Sequence, residues 1–249
     1  MSWTVSTIQL CETEAIGTLN ELAFAEDEFR RMILPSRLKN PDITDADRAR
    51  DTGDMIRSEI QGQGDRCIAH KVTTSDGQTV GFAMWKGPLP RPLSGARPEE
   101  PNQHQSSSAL KAERDMAASK RFHDVYVPME KKFVPGPHWW GCWLSLSGCC
   151  GADHRECREL VRLCTRPGFE RQGVASTLLQ SGLLQIDKRN PGLPTLICAT
   201  PKGRSLYAKF GFVSVADEVQ EEEQNEYGEA VPTRYPWSLM VRRLGQTEV

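Results

Sequence analysis

A short apolar run, a glycine-bearing turn and a helix start follow one another at residues 160–179. No other stretch of the 249-residue chain restricts its fold as much. Residues 160–165 read as a strand, and Arg166-Pro167-Gly168-Phe169 as a turn. Glu170-Arg171-Gln172-Gly173-Val174-Ala175 opens a helix. Its apolar positions Ala175, Leu178, Leu179, Leu183 and Ile186 recur at spacings of mostly three and four. A strand, a tight loop and a helix start together form an anion site. The first N–H groups of a helix have no partner within it, and the helix dipole adds positive potential. Gly173 lets a phosphate approach the backbone closely. A ligand carrying a pyrophosphate is the expectation.

Three loop types compete for this segment. Gly168 and Gly173 have the spacing of the two P-loop glycines, but Val174 and Ala175 stand where Lys and Ser/Thr are needed, which argues against nucleotide hydrolysis. The dinucleotide fingerprint with its acidic partner is absent. Residues 163–175, LCTRPGFERQGVA, resemble the acyl-CoA loop of the GNAT superfamily of N-acyltransferases, Arg/Gln-x-x-Gly-x-Gly/Ala. Glu170 departs from that pattern, standing where the family has Arg or Gln. A carboxylate beside a pyrophosphate is unfavourable, so Glu170 is expected to point away and Arg171 to supply charge. The plainer alternative is an ordinary strand-turn-helix with a small-residue packing contact.

A second motif lies downstream. Residues 195–200 read as a short buried strand, Pro201-Lys202-Gly203 as a break, residues 205–210 as a short helix stopped by Gly211, and residues 212–215 as another strand. The string LYAKFGF resembles the GNAT signature in which a Tyr sits four residues before Gly-Phe. The resemblance implies that Tyr207 faces the thioester sulfur and protonates the departing thiolate. The alternative is a tyrosine that only packs in the core.

Together the two motifs resemble a fungal-type, single-domain GNAT member spanning residues 1–249. The implied fold is α/β (α+β), with a central, mixed, mostly antiparallel twisted sheet of about seven strands flanked by helices. Acetyl-CoA is the implied co-substrate. Backbone groups of Leu163 and Thr165, with Cys164 between them, would hold the pantetheine. N–H groups of Arg171, Gln172, Gly173, Val174, Ala175 and Ser176 would hold the pyrophosphate. Cys164 itself reads as a buried structural thiol, since alternation turns it to the opposite face from its neighbours. The implied acceptor is a small-molecule amine. A non-catalytic acyl-CoA-binding protein and a protein lysine or N-terminal acetyltransferase are the alternatives.

Elsewhere the chain suggests strands at residues 4–10, 67–72, 79–85 and 233–243, and helices at 12–29, 41–61 and 109–132. Residues 88–108 read as a mobile loop and residues 218–229 as an acidic surface loop. Thirty-one Lys and Arg against 33 Asp and Glu give a formal charge of −2, which argues against sequence-independent nucleic-acid binding. Without an apolar run near eighteen residues, no membrane span is expected. With no signal-like N-terminus and no disulfide-framework spacing among eight cysteines, a cytoplasmic monomer or homodimer is expected.

Residues 141–159 interrupt the passage from His138-Trp139-Trp140 to residues 160–163. Removing them restores the register of the GNAT central strand, so the segment is expected to be foreign to the fold, as an intron read in frame would be. Its Cys142, Cys149, Cys150, His154 and Cys157 lack a clean C-x-x-C pair, and no metal is expected. Many GNAT members place a carboxylate base on the central strand. Glu159, four residues before Leu163, takes that position, ahead of Asp124, His138 and Glu130.

Overall fold

The structure is a computed structural model that describes residues 3–35, 39–87, 110, 120, 124–126, 128–129, 132, 158–189, 191–217, 221–224, 230–234 and 236–243. The 88–108 segment, most of the 141–159 segment with its Cys/His group, Glu130 and His138 lie outside these residues.

Among the described residues, nine strands and five helices are labelled. They are β1 (Thr4–Thr7), α1 (Thr13–Ala23), α2 (Glu28–Ile33), α3 (Asp45–Gln63), β2 (Cys67–Thr73), β3 (Thr79–Lys86), β4 (Arg158–Thr165), α4 (Val174–Arg189), β5 (Thr195–Ala199), α5 (Pro201–Ala208), β6 (Val213–Asp217), β7 (Glu221–Gln224), β8 (Ala230–Arg234) and β9 (Ser238–Arg242). A seven-stranded sheet runs β1-β2-β3-β4-β5-β9-β6. Every neighbouring pair in it is antiparallel except β4–β5. The expected mixed, mostly antiparallel sheet flanked by helices is what forms.

Several elements differ from the sequence reading. The single helix expected over residues 12–29 is two, because Asp27 takes an extended backbone and its carboxylate accepts the Arg30 N–H at 3.0 Å, starting α2 afresh. The third helix begins at Asp45 because Thr44 and Asp47 close a reciprocal capping box. Pro201-Lys202-Gly203 is not a break. Pro201 occupies the first helical position of α5, where its missing N–H costs nothing. The acidic 218–229 stretch is not all loop, since β7 pairs with β8 in a separate two-stranded sheet. The strand expected at 233–243 splits into β8 and β9.

Alternation divides the core. One face of the sheet, with Val72, Val80, Trp85, Leu160 and Ile197, packs under Leu178, Leu179, Leu183 and Ile186 of α4 and Tyr207 of α5. On the other, Ala69, Phe82, Met84 and Cys164 meet Ile16, Leu19 and Ile56 of α1 and α3. Leu196, Leu239, Val241 and Trp237 meet Tyr126 from a helical stretch. Glycines set the closest approaches. A Cβ on Gly17 of α1 would stand 2.1 Å from the Ala49 carbonyl of α3, and one on Gly182 of α4 would stand 2.1 Å from the Trp85 indole nitrogen.

Buried polar groups also fix the layers. Lys86 and Arg162, each about 3% exposed, flank Glu59 of α3 at 3.1 and 4.0 Å. Burial pushes the Glu59 carboxyl up, but the two cations outweigh it and hold it below its ordinary range. On the opposite face, His70 of β2 meets Ser181 at 3.1 Å and Gln185 at 3.0 Å, one on each ring nitrogen. Burial, reinforced by Arg189, lowers its pKa.

Two outcomes follow. Gly17→Ala forces α1 away from α3 and destabilises the fold by about 2 kcal/mol, read from denaturant unfolding. His70 binds a proton less readily folded than unfolded, so its contribution to stability is present above its unfolded pKa of about 6.5 and is lost as pH falls below it. Between about pH 7 and about pH 5, wild type therefore loses more melting temperature than His70→Gln.

Candidate functional site

Strand β4 keeps one partner and abandons the other. It pairs with β3 from Gly81↔Thr165 to Lys86↔Glu159. With β5 it pairs only at Arg158↔Thr195 and Glu159↔Leu196. Strand β5 stays paired with β9 over all five residues. From Leu160 and Ile197 onward the two strands part. Their facing edges present backbone N–H and C=O groups to the gap instead of to each other. A bulge helps to bend β4 away. Met84 opposes Arg162 and Trp85 opposes Leu160, which leaves Val161 as the extra residue.

The loop beyond β4 ends at the mouth of this gap. Arg166 donates its N–H to the Val80 carbonyl at 2.7 Å, and Phe169 returns its N–H to Arg166. Gly168 (φ 88°), Arg171 (φ 61°) and Gly173 (φ 90°) all take left-handed backbone, so the chain turns sharply into α4. Beyond Phe169, the first backbone N–H with an acceptor among the described residues is that of Thr177, which reaches the Gly173 carbonyl at 2.9 Å. Among the described residues, the N–H groups of Arg171, Gln172, Gly173, Val174, Ala175 and Ser176 meet no acceptor. Six free donors at the start of a sixteen-residue helix make a site for an anion. The helix is seated closely, since a Cβ on Gly81 of β3 would come within 2.6 Å of Val174.

Glu170 was expected to point away from such an anion. Its carboxylate folds back on its own turn and accepts the Gly168 N–H at 2.7 Å, while the Gln172 amide donates to the Gly168 carbonyl at 2.9 Å. The residue that breaks the loop pattern thus braces the turn. The Arg171 side chain is exposed.

Tyr207 lies 8% exposed on the α4–α5 face of the sheet. Its ring lies over Gly203, one turn earlier, where a Cβ would stand 2.6 Å away. The ring also meets Phe212 edge-on at 6.0 Å. Its carbonyl accepts the N–H groups of Phe210 and Phe212, and Gly211 turns left-handed at φ 81°. The spacing in LYAKFGF thus has a mechanical basis: the helix ends on the tyrosine's carbonyl, and the phenylalanine folds back on its ring. Burial, with the Cys198 thiol of β5 adding to it, raises the Tyr207 pKa. The phenol keeps its proton at neutral pH.

The other sequence candidates are also placed. Leu163 packs towards α4, whereas Cys164 is buried among α1 and α3 residues. Burial pushes its thiol pKa up, which suits a structural cysteine. The register sets Glu159 across from Lys86, at the last β4–β5 pair before the strands part. Asp124 pairs with Lys120 on an exposed helical face. Sequence reasoning missed Trp3. Its indole N–H donates to the Gln172 carbonyl at 3.2 Å, and its ring meets Phe169 edge-on at 6.5 Å. No local pattern signals a contact across that much sequence.

A family model described as an acetyltransferase (GNAT) domain matches residues 144–225. No curated protein matches the sequence. Solved structures share the fold across essentially the whole chain. The C-terminal condensation domain of Ebony, in complex with beta-alanyl-dopamine, aligns with a TM-score of 0.60 at 9% identity, covering 98% of this chain and 100% of that one. Arylalkylamine N-acetyltransferase 2 from Aedes aegypti aligns at 0.58 and 13%, with the same coverage. A histone acetyltransferase HPA2 and related acetyltransferase from Corynebacterium glutamicum aligns at 0.53 and 18%, covering all of both chains.

The loop carries its own outcome. Arg171 is a non-glycine residue in left-handed backbone, a conformation that disfavours a Cβ. Arg171→Gly relieves that strain and raises stability by about 0.5 kcal/mol, after the entropy that glycine loses on folding. A thermal melt of the two proteins reads the sign.

Proposed function

We propose that this chain is a member of the GNAT superfamily and an acetyl-CoA-dependent N-acetyltransferase that modifies a small-molecule amine by direct transfer. The observation that carries the reading is the parting of β4 and β5 beside six free N–H groups. A pantetheine arm needs backbone partners and a diphosphate needs donors, and the two stand in line. The fit is chemical as well as spatial. The unpaired edge of β4 offers amide groups at Leu163 and Thr165, and the N–H groups from Arg171 to Ser176 offer a cradle without a metal ligand. When bound, acetyl-CoA supplies an acyl group activated as a thioester.

In this reading the chain's own residues do four things. The β4 edge holds the arm as an added strand, with Cys164 contributing backbone between Leu163 and Thr165 while its thiol stays in the core. A backbone N–H near Leu163 donates a hydrogen bond to the oxyanion that forms as the amine nitrogen bonds to the thioester carbon. Glu159, at the edge of the parting, accepts the proton that the amine sheds. Tyr207 gives its phenolic proton to sulfur as the carbon–sulfur bond breaks, and its raised pKa keeps that proton available. Proton return from Glu159 through solvent to Tyr207 restores the starting state.

The test is an acceptor screen that reads free thiol release, with a panel of small amines beside histone peptides. Thiol release with small amines supports the reading, and transfer to peptides alone overturns the acceptor class. Thermal stabilisation by acetyl-CoA with no thiol release on any amine would make the chain a binding protein. Tyr207→Phe lowers kcat by about a hundredfold and leaves the KM for acetyl-CoA nearly unchanged. Full turnover by that variant across the pH range removes Tyr207 from the acid role.

A further inference from the structure

Trp3 stands just ahead of β1, the strand at one edge of the seven-stranded sheet. It reaches the loop in front of α4 at three points. Its indole N–H donates to the Gln172 carbonyl at 3.2 Å, its ring meets Phe169 edge-on at 6.5 Å, and its indole nitrogen stands 4.0 Å from where a Gly173 Cβ would be. The side chain is half-buried against the α4-side core.

We infer that Trp3 is a positioning residue for the diphosphate cradle, acting by fixing the orientation of the peptide unit between Gln172 and Gly173. The reasoning starts from peptide planarity. In a trans peptide the C=O and the following N–H point in opposite directions. An indole that holds the Gln172 carbonyl on its own side therefore turns the Gly173 N–H to the other side. Gly173, at φ 90°, is the residue in the loop best able to let this unit rotate, because it has no Cβ to oppose the change. Left alone, the 172–173 unit can flip, withdrawing one donor from the row. The indole bond removes that freedom, and the Phe169 contact keeps the indole in place. The cradle is thus set from two directions, by β4 in the middle of the sheet and by the lead-in to β1 at its edge.

The inference rests on the loop being the diphosphate site of an acyl-CoA, and the experiment separates the two. The full chain and its Trp3→Phe variant, which keeps an aromatic ring but has no donor, are titrated with CoA by calorimetry and with pantetheine by competition. Pantetheine has the arm and lacks the diphosphate. Losing one oriented hydrogen bond predicts about tenfold weaker CoA binding, unchanged pantetheine binding, and faster amide exchange at residues 173–176. Equal losses for both ligands would make Trp3 a general packing residue and overturn the inference. So would unchanged CoA affinity. Wild type that binds CoA no better than pantetheine defeats the diphosphate reading itself, and the inference falls with it. That result is seen without the variant.

Discussion

A single lapse in backbone pairing organises this molecule. Strands β4 and β5 are parallel neighbours joined through only two register positions. Each remains bound to its outer neighbour, so neither is free to close the gap. Backbone groups turned towards the gap would carry a penalty if they were buried without partners. The elements around the gap keep it open. The bulge at Val161 bends β4, and Gly81 admits Val174 so that α4 begins at the gap's mouth. The bidentate pair of Arg242 with Asp187, at 3.1 and 2.9 Å, ties the far end of α4 to β9. A ligand that adds a strand completes the sheet rather than breaking it.

The parts that were legible in the sequence are those whose physics is local. The 163–175 loop and the Tyr207–Phe212 string each carry their geometry in thirteen residues or fewer, because helix starts and helix ends are decided by nearby N–H and C=O groups. The apolar period of α4 marked the buried positions Leu178, Leu179, Leu183 and Ile186. Residues 12–29 read as one helix from the sequence, and only the capping geometry at Asp27 shows that a new helix begins there. Glu170 was read from the chemistry of an incoming anion, whereas its own turn supplied a nearer donor at Gly168. Trp3 and the Glu59–Lys86–Arg162 group were invisible, since each joins elements distant in sequence and none sits in a motif.

That buried group shows how polar residues can hold one layer against another. Glu59 comes from α3, Lys86 from the end of β3, and Arg162 from the residue after the bulge in β4. Leaving any of these charges without its counterpart in the interior would be strongly destabilising. Cys67 lies in the same neighbourhood, and burial, with the Glu59 charge adding to it, pushes its thiol pKa up to about 12. The helices that form one wall of the fold are thereby tied to the strand that borders the gap. The Arg30 guanidinium extends the arrangement by meeting Glu21 of α1, whose other oxygen accepts from Thr52 of α3 at 2.9 Å.

The ladder between β3 and β4 has a consequence for how the chain folds. Its two strands are separated by residues 87–157, the longest stretch spanned by any antiparallel ladder of the main sheet. By comparison β2 and β3 meet across the short turn at residues 74–78. Loop-closure entropy makes the β3–β4 ladder roughly 2 kcal/mol costlier to nucleate than that hairpin. Non-local pairing of this kind slows folding. Strands β1 to β3 with α1 and α3 depend mainly on contacts within the first 87 residues. The strand that borders the gap must be recruited from far along the chain, and until it arrives the edge of β3 stands open.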